Sequence, residues 1–238
     1  MGLGTLINAL GVLAGGFVGM LIGHRISKNM QEAIMKAAAI SVIFLGIIGA
    51  CEHALRISGN RIASQGAMML VVSLTLGTLI GEILNIERLF EKLGIYLKKI
   101  TNSGKDNRFV DSFIMASLTI CIGAMSILGA IQDALFHDYS VLMAKTVLDG
   151  ITILIFTAAN GRGSIFSVVP LVIFQGGITL LAKFIEPIMT PTALTNLSLV
   201  GSVLIFCVGA NIIWKLKIRI ANMLPAIIIA VIFAFLPF

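Results

Sequence analysis

Lys145 and Asp149 stand four residues apart, so on a helix they share one face and can pair. They interrupt an apolar stretch, Ser140 to Gly161, that is long enough to cross a bilayer. If the helix starts near Val141, Asp149 lies about 12 Å along its axis, close to the bilayer middle. An acid at that depth beside a lysine can hold a proton or a cation, because pairing and desolvation pull its proton affinity in opposite directions. A helix starting nearer Thr146 puts Asp149 in its first turn instead, where the dipole favours a carboxylate and no further role is needed. The sequence leaves both readings open.

Other polar groups cluster around apolar stretches. Gln132-Asp133 closes the stretch before Lys145, and Glu52-His53 closes the second one. Each pair could line an outer vestibule or cap a helix at headgroup level; capping suits Glu52-His53 better, whereas Asp133, Asp149 and Lys145 bracket one short loop. Gln175-Gly176-Gly177 and Gly15-Gly16 lie in mid-stretch. Paired glycines can release backbone groups towards a substrate, as in discontinuous transporter helices, or let helices pack closely. Gly11, Gly15 and Gly19, at four-residue spacing, suit packing. Asn8, Thr5 and Asn211 are polar residues inside spans, available to a solute or to interhelical hydrogen bonds. Pro225 either kinks the last span or occupies its first turn.

The chain has 238 residues, 58% apolar and 12% charged, with a mean hydropathy of +1.05. So few charges cannot cover a soluble fold of this size, which identifies an all-α, polytopic membrane protein. The net charge of +6 sits in short loops, which points to orientation in a bilayer and not to nucleic acid. Cys51, Cys121 and Cys207 lie in or beside apolar runs as buried thiols, without metal or disulfide spacing. His24, His53 and His137 stand at span ends, and no hydrolase, Walker or dinucleotide motif occurs. The expectation is therefore no enzyme, no cofactor and no metal.

Seven charge-free stretches mark spans, Met1 to Gly23, Ala37 to Cys51, Ile62 to Gly81, Ser112 to Gln132, Gly163 to Ala182, Pro187 to Trp214 and Ile220 to Phe238; Ser140 to Gly161 makes eight. Between the third and fourth, Ile86, Leu89, Phe90, Leu93, Tyr96 and Leu97 recur at helical spacing among charges, an amphipathic helix along the membrane surface. With eight spans, one set of alternate loops holds thirteen Lys and Arg, and the other holds four: Arg56, Arg61, Lys145 and Lys183. The bias puts that helix, with Lys98, Lys99 and Lys105, in the cytoplasm and both termini outside.

Internal echoes suggest duplication. Gly15-Gly16 matches Gly176-Gly177, Gly49-Ala50 matches Gly209-Ala210, and Arg61-Ile62-Ala63 matches Arg219-Ile220-Ala221, at offsets of 161, 160 and 158. Spans one to three (1–84) then correspond to spans six to eight (164–238) around a central segment (85–163), and an odd separation of five spans gives the copies opposite orientations. A weaker echo relates Gly49-Ala50 and Ala54-Leu55 to Gly129-Ala130 and Ala134-Leu135. Inverted repeats are frequent in secondary transporters.

Gly4-Thr5-Leu6-Ile7-Asn8, the segment Gly123 to Asp133, the stretch Lys145 to Gly150, Gln175-Gly176-Gly177-Ile178-Thr179 and Asn222-Met223-Leu224-Pro225-Ala226 together resemble the YqgA/YdfK-type bacterial inner-membrane proteins, a domain of unknown function. The resemblance covers essentially the whole chain and implies a multi-pass inner-membrane protein and candidate transporter, with no catalytic residues to carry over. The expected function is transport of a small solute or ion, coupled to protons or a cation. Asp149 and Lys145 would form the ion site, Asn8 and Gln175 to Gly177 the solute contacts, and Gln132-Asp133 the vestibule. The competing expectation is a sensor or scaffold acting through the surface helix. Membrane lipids are the expected partners, and the small-residue faces favour a homo-oligomer.

Overall fold

A computed structural model describes residues 2–23, 25–58, 61–104 and 106–236; His24 and Lys105, weighed above, lie outside them, as do the outermost residues of the first and last expected spans. The chain forms α1 (Leu3–Gly23), α2 (Lys28–Ala54), a hairpin of β1 (Leu55–Ser58) and β2 (Arg61–Ser64), α3 (Ala67–Leu84), α4 (Ile86–Ile100), α5 (Phe109–Cys121), α6 (Ala124–Phe136), α7 (Ser140–Asn160), α8 (Val168–Ile185), α9 (Pro191–Trp214), α10 (Ile220–Met223) and α11 (Pro225–Phe233). Among the described residues six helical runs are long and apolar enough to cross a membrane: α1, α2, α3, α7, the run Arg162–Ile188 that contains α8, and α9. A seventh follows if α5 and α6, bent by 61° at their junction, are one broken span; the apolar run Ile220–Phe233 is shorter.

Local chemistry explains the boundaries. Ser27 Oγ accepts from the Met30 amide at the start of α2, and Thr190 Oγ1 accepts from Ala193 ahead of α9, whose first residue is Pro191. Asn85, at φ 50°, ends α3 and turns the chain directly into α4. The expected third span shifts: Ile62 and Ala63 belong to the antiparallel hairpin, in register with Ile57 and Arg56, and the helix begins only after Gly66, at φ 73°. The expected fourth span is interrupted, because Ile122 is extended and Gly123, at φ 144°, adopts a backbone that a side chain disfavours.

Packing is set by small residues. In α1, Gly11 meets Thr146, Gly15 meets Gly150, Gly19 meets Leu154 and Gly23 meets Ala158. Both numbers rise together, so α1 and α7 run parallel. Partner numbers fall in the other close pairs: Gly46 and Gly49 of α2 meet Phe206 and Ser202 of α9, and Gly77 and Gly81 of α3 meet Ala226 and Asn222. Asn8 and Gly16 of α1 likewise meet Gln175 and Ile165. These pairs are antiparallel. Helix α5 lies in the centre, with Phe113, Leu118 and Ile120 packed among Val12, Phe156, Leu171 and Leu204. The outer faces carry Leu6, Leu10, Phe17, Phe44, Leu45, Leu180 and Phe184, all exposed, the surface expected against lipid.

An added Cβ at Gly15 would stand 2.8 Å from the Gly150 carbonyl carbon, whereas one at Gly176 would meet nothing within 4 Å. Gly15→Ala should therefore cost about 1–3 kcal/mol through backbone displacement, and Gly176→Ala should be neutral or gain up to about 1 kcal/mol of helix propensity. Thermal unfolding of the two variants in detergent checks the contrast.

Candidate functional site

Helix α7 starts at Ser140, whose amide donates to Asp138 Oδ1 at 2.9 Å. Asp138 thus serves the helix start, and these hydrogen bonds hold its carboxyl below the usual carboxylate value. Asp149 is consequently the tenth residue of a 21-residue helix, in its middle and not in its first turn. The Lys145 and Asp149 side chains are 6% and 9% exposed and form an ion pair.

The break between α5 and α6 supplies the next partner. The last carbonyls of a helix have no intrahelical donor, and Lys145 Nζ donates to one of them, Ile120 O, at 2.7 Å. Ser126 Oγ, from the first turn of α6, reaches the same carbonyl at 3.5 Å. From the opposite side Asn8 Nδ2 donates to Asp149 Oδ2 at 3.0 Å and to Gln175 Oε1 at 3.3 Å. One buried polar chain thus runs from the end of α5 through Lys145 and Asp149 of α7 and Asn8 of α1 to Gln175 of α8. Asn8 Oδ1, Gln175 Nε2 and the nearby Thr5 Oγ1 are buried without a hydrogen-bond partner.

Asp133 joins this region differently. Only 1% exposed, its Oδ2 accepts from the Gly4 amide at 2.9 Å, in the first turn of α1, where the dipole favours a carboxylate. It is a buried helix anchor one turn from Asn8, not the wall of an open vestibule. Gln132 beside it is half-buried, with Oε1 unpartnered. Gly176 and Gly177 lie within unbroken α8, and Gly15 and Gly16 within unbroken α1, so the discontinuity falls at Gly123 instead. His53 Nδ1 bonds the Gly49 carbonyl at 2.8 Å at the end of α2. Asn211 braces a turn by a two-way hydrogen bond with the Ile218 backbone, and Pro225 opens α11.

What the sequence reading missed is the Ile120 carbonyl. Every residue has one, and only the break makes this one available; the sole signal is Gly123, one of 24 glycines. No group of three or more acidic, His or Cys side chains suited to a metal occurs among the described residues.

Two cavities open at the end of the bundle that carries the basic loops. One, about 450 Å³, is lined by Glu87, Asp111, Leu118, Asn211, Lys217 and Arg219. The other, about 300 Å³, lies among Met20, Gln31, Asp106, Arg108 and Gly161. Beside the first, α4 is clamped to α10: the Glu87 amide donates to Asn222 Oδ1 at 2.7 Å, and Glu87 Oε2 accepts from the Ala221 amide at 3.1 Å. Burial pushes the Glu87 carboxyl above its ordinary value.

A bundle of long apolar helices, with lipid-facing surfaces and buried polar groups joining its interior elements, defines a polytopic helical membrane protein. The chain belongs to the family described as "Protein of unknown function (DUF554)", whose model matches residues 3–235. It is 30% identical over 226 residues to "Uncharacterized membrane protein YdfK" of Bacillus subtilis (strain 168), covering 95% of this chain and 93% of that protein. It is 28% identical over 237 residues to "Uncharacterized protein YqgA" of Escherichia coli (strain K12), covering 97% and 95%. No solved structure matches the chain.

Two outcomes follow from this geometry. Lys145→Met or Asp149→Asn alone strands a buried charge or its partner and should cost about 3–5 kcal/mol, whereas the double variant should recover much of that loss; a double-mutant cycle by thermal unfolding measures it. Because the folded Glu87 binds its proton more tightly than the unfolded chain does, stability should fall as pH rises from the ordinary carboxyl value of 4.5 through the raised one. Glu87→Gln should flatten that slope in a pH series of unfolding curves.

Proposed function

We propose that this protein is a membrane transporter of a small solute or ion, coupled to protons or a cation, and that it performs no enzymatic step. The observation that carries the reading is the buried chain of Lys145, Asp149, Asn8 and Gln175, in mid-helix and anchored on a broken helix. Ionisable groups at that depth are expensive and tend to mark ion pathways, and discontinuous helices are where transporters hold ions. The unpartnered Asn8 Oδ1, Gln175 Nε2 and Thr5 Oγ1 are the groups a solute would meet.

The reading takes the bundle as eight crossings, and helix directions support it. With α4 lying on the membrane surface, parallel α1 and α7 require an odd number of crossings between them, which α2, α3 and the α5–α6 pair provide as three. The antiparallel pairs α1–α8, α2–α9 and α3–α11 fit the same alternation, with Ile220–Phe233 as a short eighth crossing. The inverted repeats gain support from α2 and α9: the contact of Gly46 with Phe206 joins residues 160 apart, the offset that relates Gly49-Ala50 to Gly209-Ala210. In this reading the protein sits in the bacterial inner membrane with both termini outside, among lipids as its main partners, as a homo-oligomer in contact through small residues. The amphipathic α4 rests on the cytoplasmic face.

A second reading, a sensor or scaffold working through α4, draws on the Glu87–Asn222 clamp and on Leu89, Ile95, Tyr96 and Ile100, all exposed on that helix. Proteoliposome assays with an imposed pH or Na⁺ gradient separate the two. Under the transport reading, wild type dissipates at least one of the gradients and Asp149→Asn slows this about tenfold or more. Equal leak rates for wild type, Asp149→Asn and empty vesicles would remove transport and leave the second reading.

A further inference from the structure

The Lys145 ammonium stands between two separate sources of negative charge. One is the Asp149 carboxylate on its own helix. The other is the C-terminal end of α5, where the break at Ile122 and Gly123 leaves the Ile120 carbonyl free to accept Nζ at 2.7 Å. A helix C-terminus carries partial negative charge from its unpaired carbonyls. The place is closed to solvent, with Lys145 and Asp149 5% and 6% exposed, and Asn8 fixes the carboxylate from the far side. A carboxylate and a released helix-end carbonyl, shut away from water, are the donor set with which discontinuous membrane helices hold a mobile monovalent cation. In this chain a side chain fills the position.

We infer that Lys145 is a tethered cation: its ammonium occupies a monovalent-cation site made by the Ile120 carbonyl and the Asp149 carboxylate, and shortening that side chain opens the site to a free cation. The placement does not depend on transport. Its consequence for coupling rests on the transport reading above: a free metal ion is not the coupling species at this position, because the chain carries its own.

The test is equilibrium stabilisation of the purified full-length protein in detergent, read as Tm in the chlorides of Na⁺, K⁺ and methylammonium, with choline chloride at the same ionic strength as reference. Wild type should unfold at one temperature in all four salts. Lys145→Ala should unfold earlier in choline chloride and recover saturably, by at least about 3 °C, in methylammonium or Na⁺. Adding Asp149→Asn to Lys145→Ala should abolish the recovery. Lys145→Gln, which keeps more of the side-chain volume, is read in the same way if the alanine variant does not fold. The inference is overturned by a saturable rise of the wild-type Tm in Na⁺ or K⁺ over choline, which means that a free ion binds without the lysine leaving, and equally by lysine variants that respond alike to every salt. If neither variant folds in choline chloride but both do in methylammonium, the inference stands; if neither folds in any salt, a free cation cannot replace the ammonium and the inference falls. Flux plays no part, so a failure here and a failure of the gradient assays are distinguishable.

Discussion

A charge in the middle of a membrane helix must be neutralised and hydrogen-bonded inside the protein, and the Lys145–Asp149 pair imposes that demand on several neighbours at once. Both residues are on α7, so neither brings another helix with it. The ammonium takes the Ile120 carbonyl, which requires α5 to end at Cys121. The carboxylate takes the Asn8 amide, which requires α1 to lie against α7. Asn8 in turn engages Gln175, which draws in α8. Interrupting α5 and docking α1 and α8 on α7 are thus parts of one electrostatic solution.

The glycines make that solution sterically attainable. Along α1, Gly11, Gly15, Gly19 and Gly23 fall every four residues and meet α7 in step, so the two backbones approach closely enough for the short Asn8 side chain to reach Asp149. The same device recurs where α2 meets α9 and where α3 meets the last helical run. Between apolar helices in lipid, where burial offers little gain, close backbone contact of this kind is a main source of attraction. At the N-terminus of α1 the Gly4 amide ends on buried Asp133, which ties α6 to the assembly and sets the height of Asn8 against Asp149.

The legible part of this arrangement was whatever side-chain type and spacing encode. A four-residue interval put Lys145 and Asp149 on one face, polar residues in apolar runs pointed to Asn8 and Gln175, and glycines at four-residue spacing in α1 indicated close packing. Hydropathy gave the long helices, including α7 despite its two charges. What escaped were backbone events. Strands β1 and β2 are four residues each, and Ile62 to Ser64 of β2 also read as the start of a span. The break at Gly123 looks, in sequence, like any other glycine in an apolar run, and the paired glycines Gly15-Gly16 and Gly176-Gly177 sit in continuous helices. An available carbonyl has no side-chain signature, so the partner that completes the Lys145 site was visible only once the chain was folded.

The neutral end of the polar chain follows from its charged end. An ionised carboxylate offers only lone pairs, so Asn8 must turn Nδ2 towards Asp149, and its Oδ1 is then directed elsewhere. The second Nδ2 hydrogen needs an acceptor, so Gln175 presents Oε1 and turns its own Nε2 away. Both leftover atoms, one acceptor and one donor, are buried and unpartnered, a condition that costs about 1–3 kcal/mol for each group. Re-orienting either amide would set like atoms against each other and lose a hydrogen bond already made. The charge on Asp149 therefore determines which atoms α1 and α8 leave free, and those atoms suit a neutral polar group, or a water in its place, able to donate on one side and accept on the other. In this way the ion pair fixes which hydrogen-bonding atoms Asn8 and Gln175 leave unpaired, two and three contacts along the polar chain from Lys145.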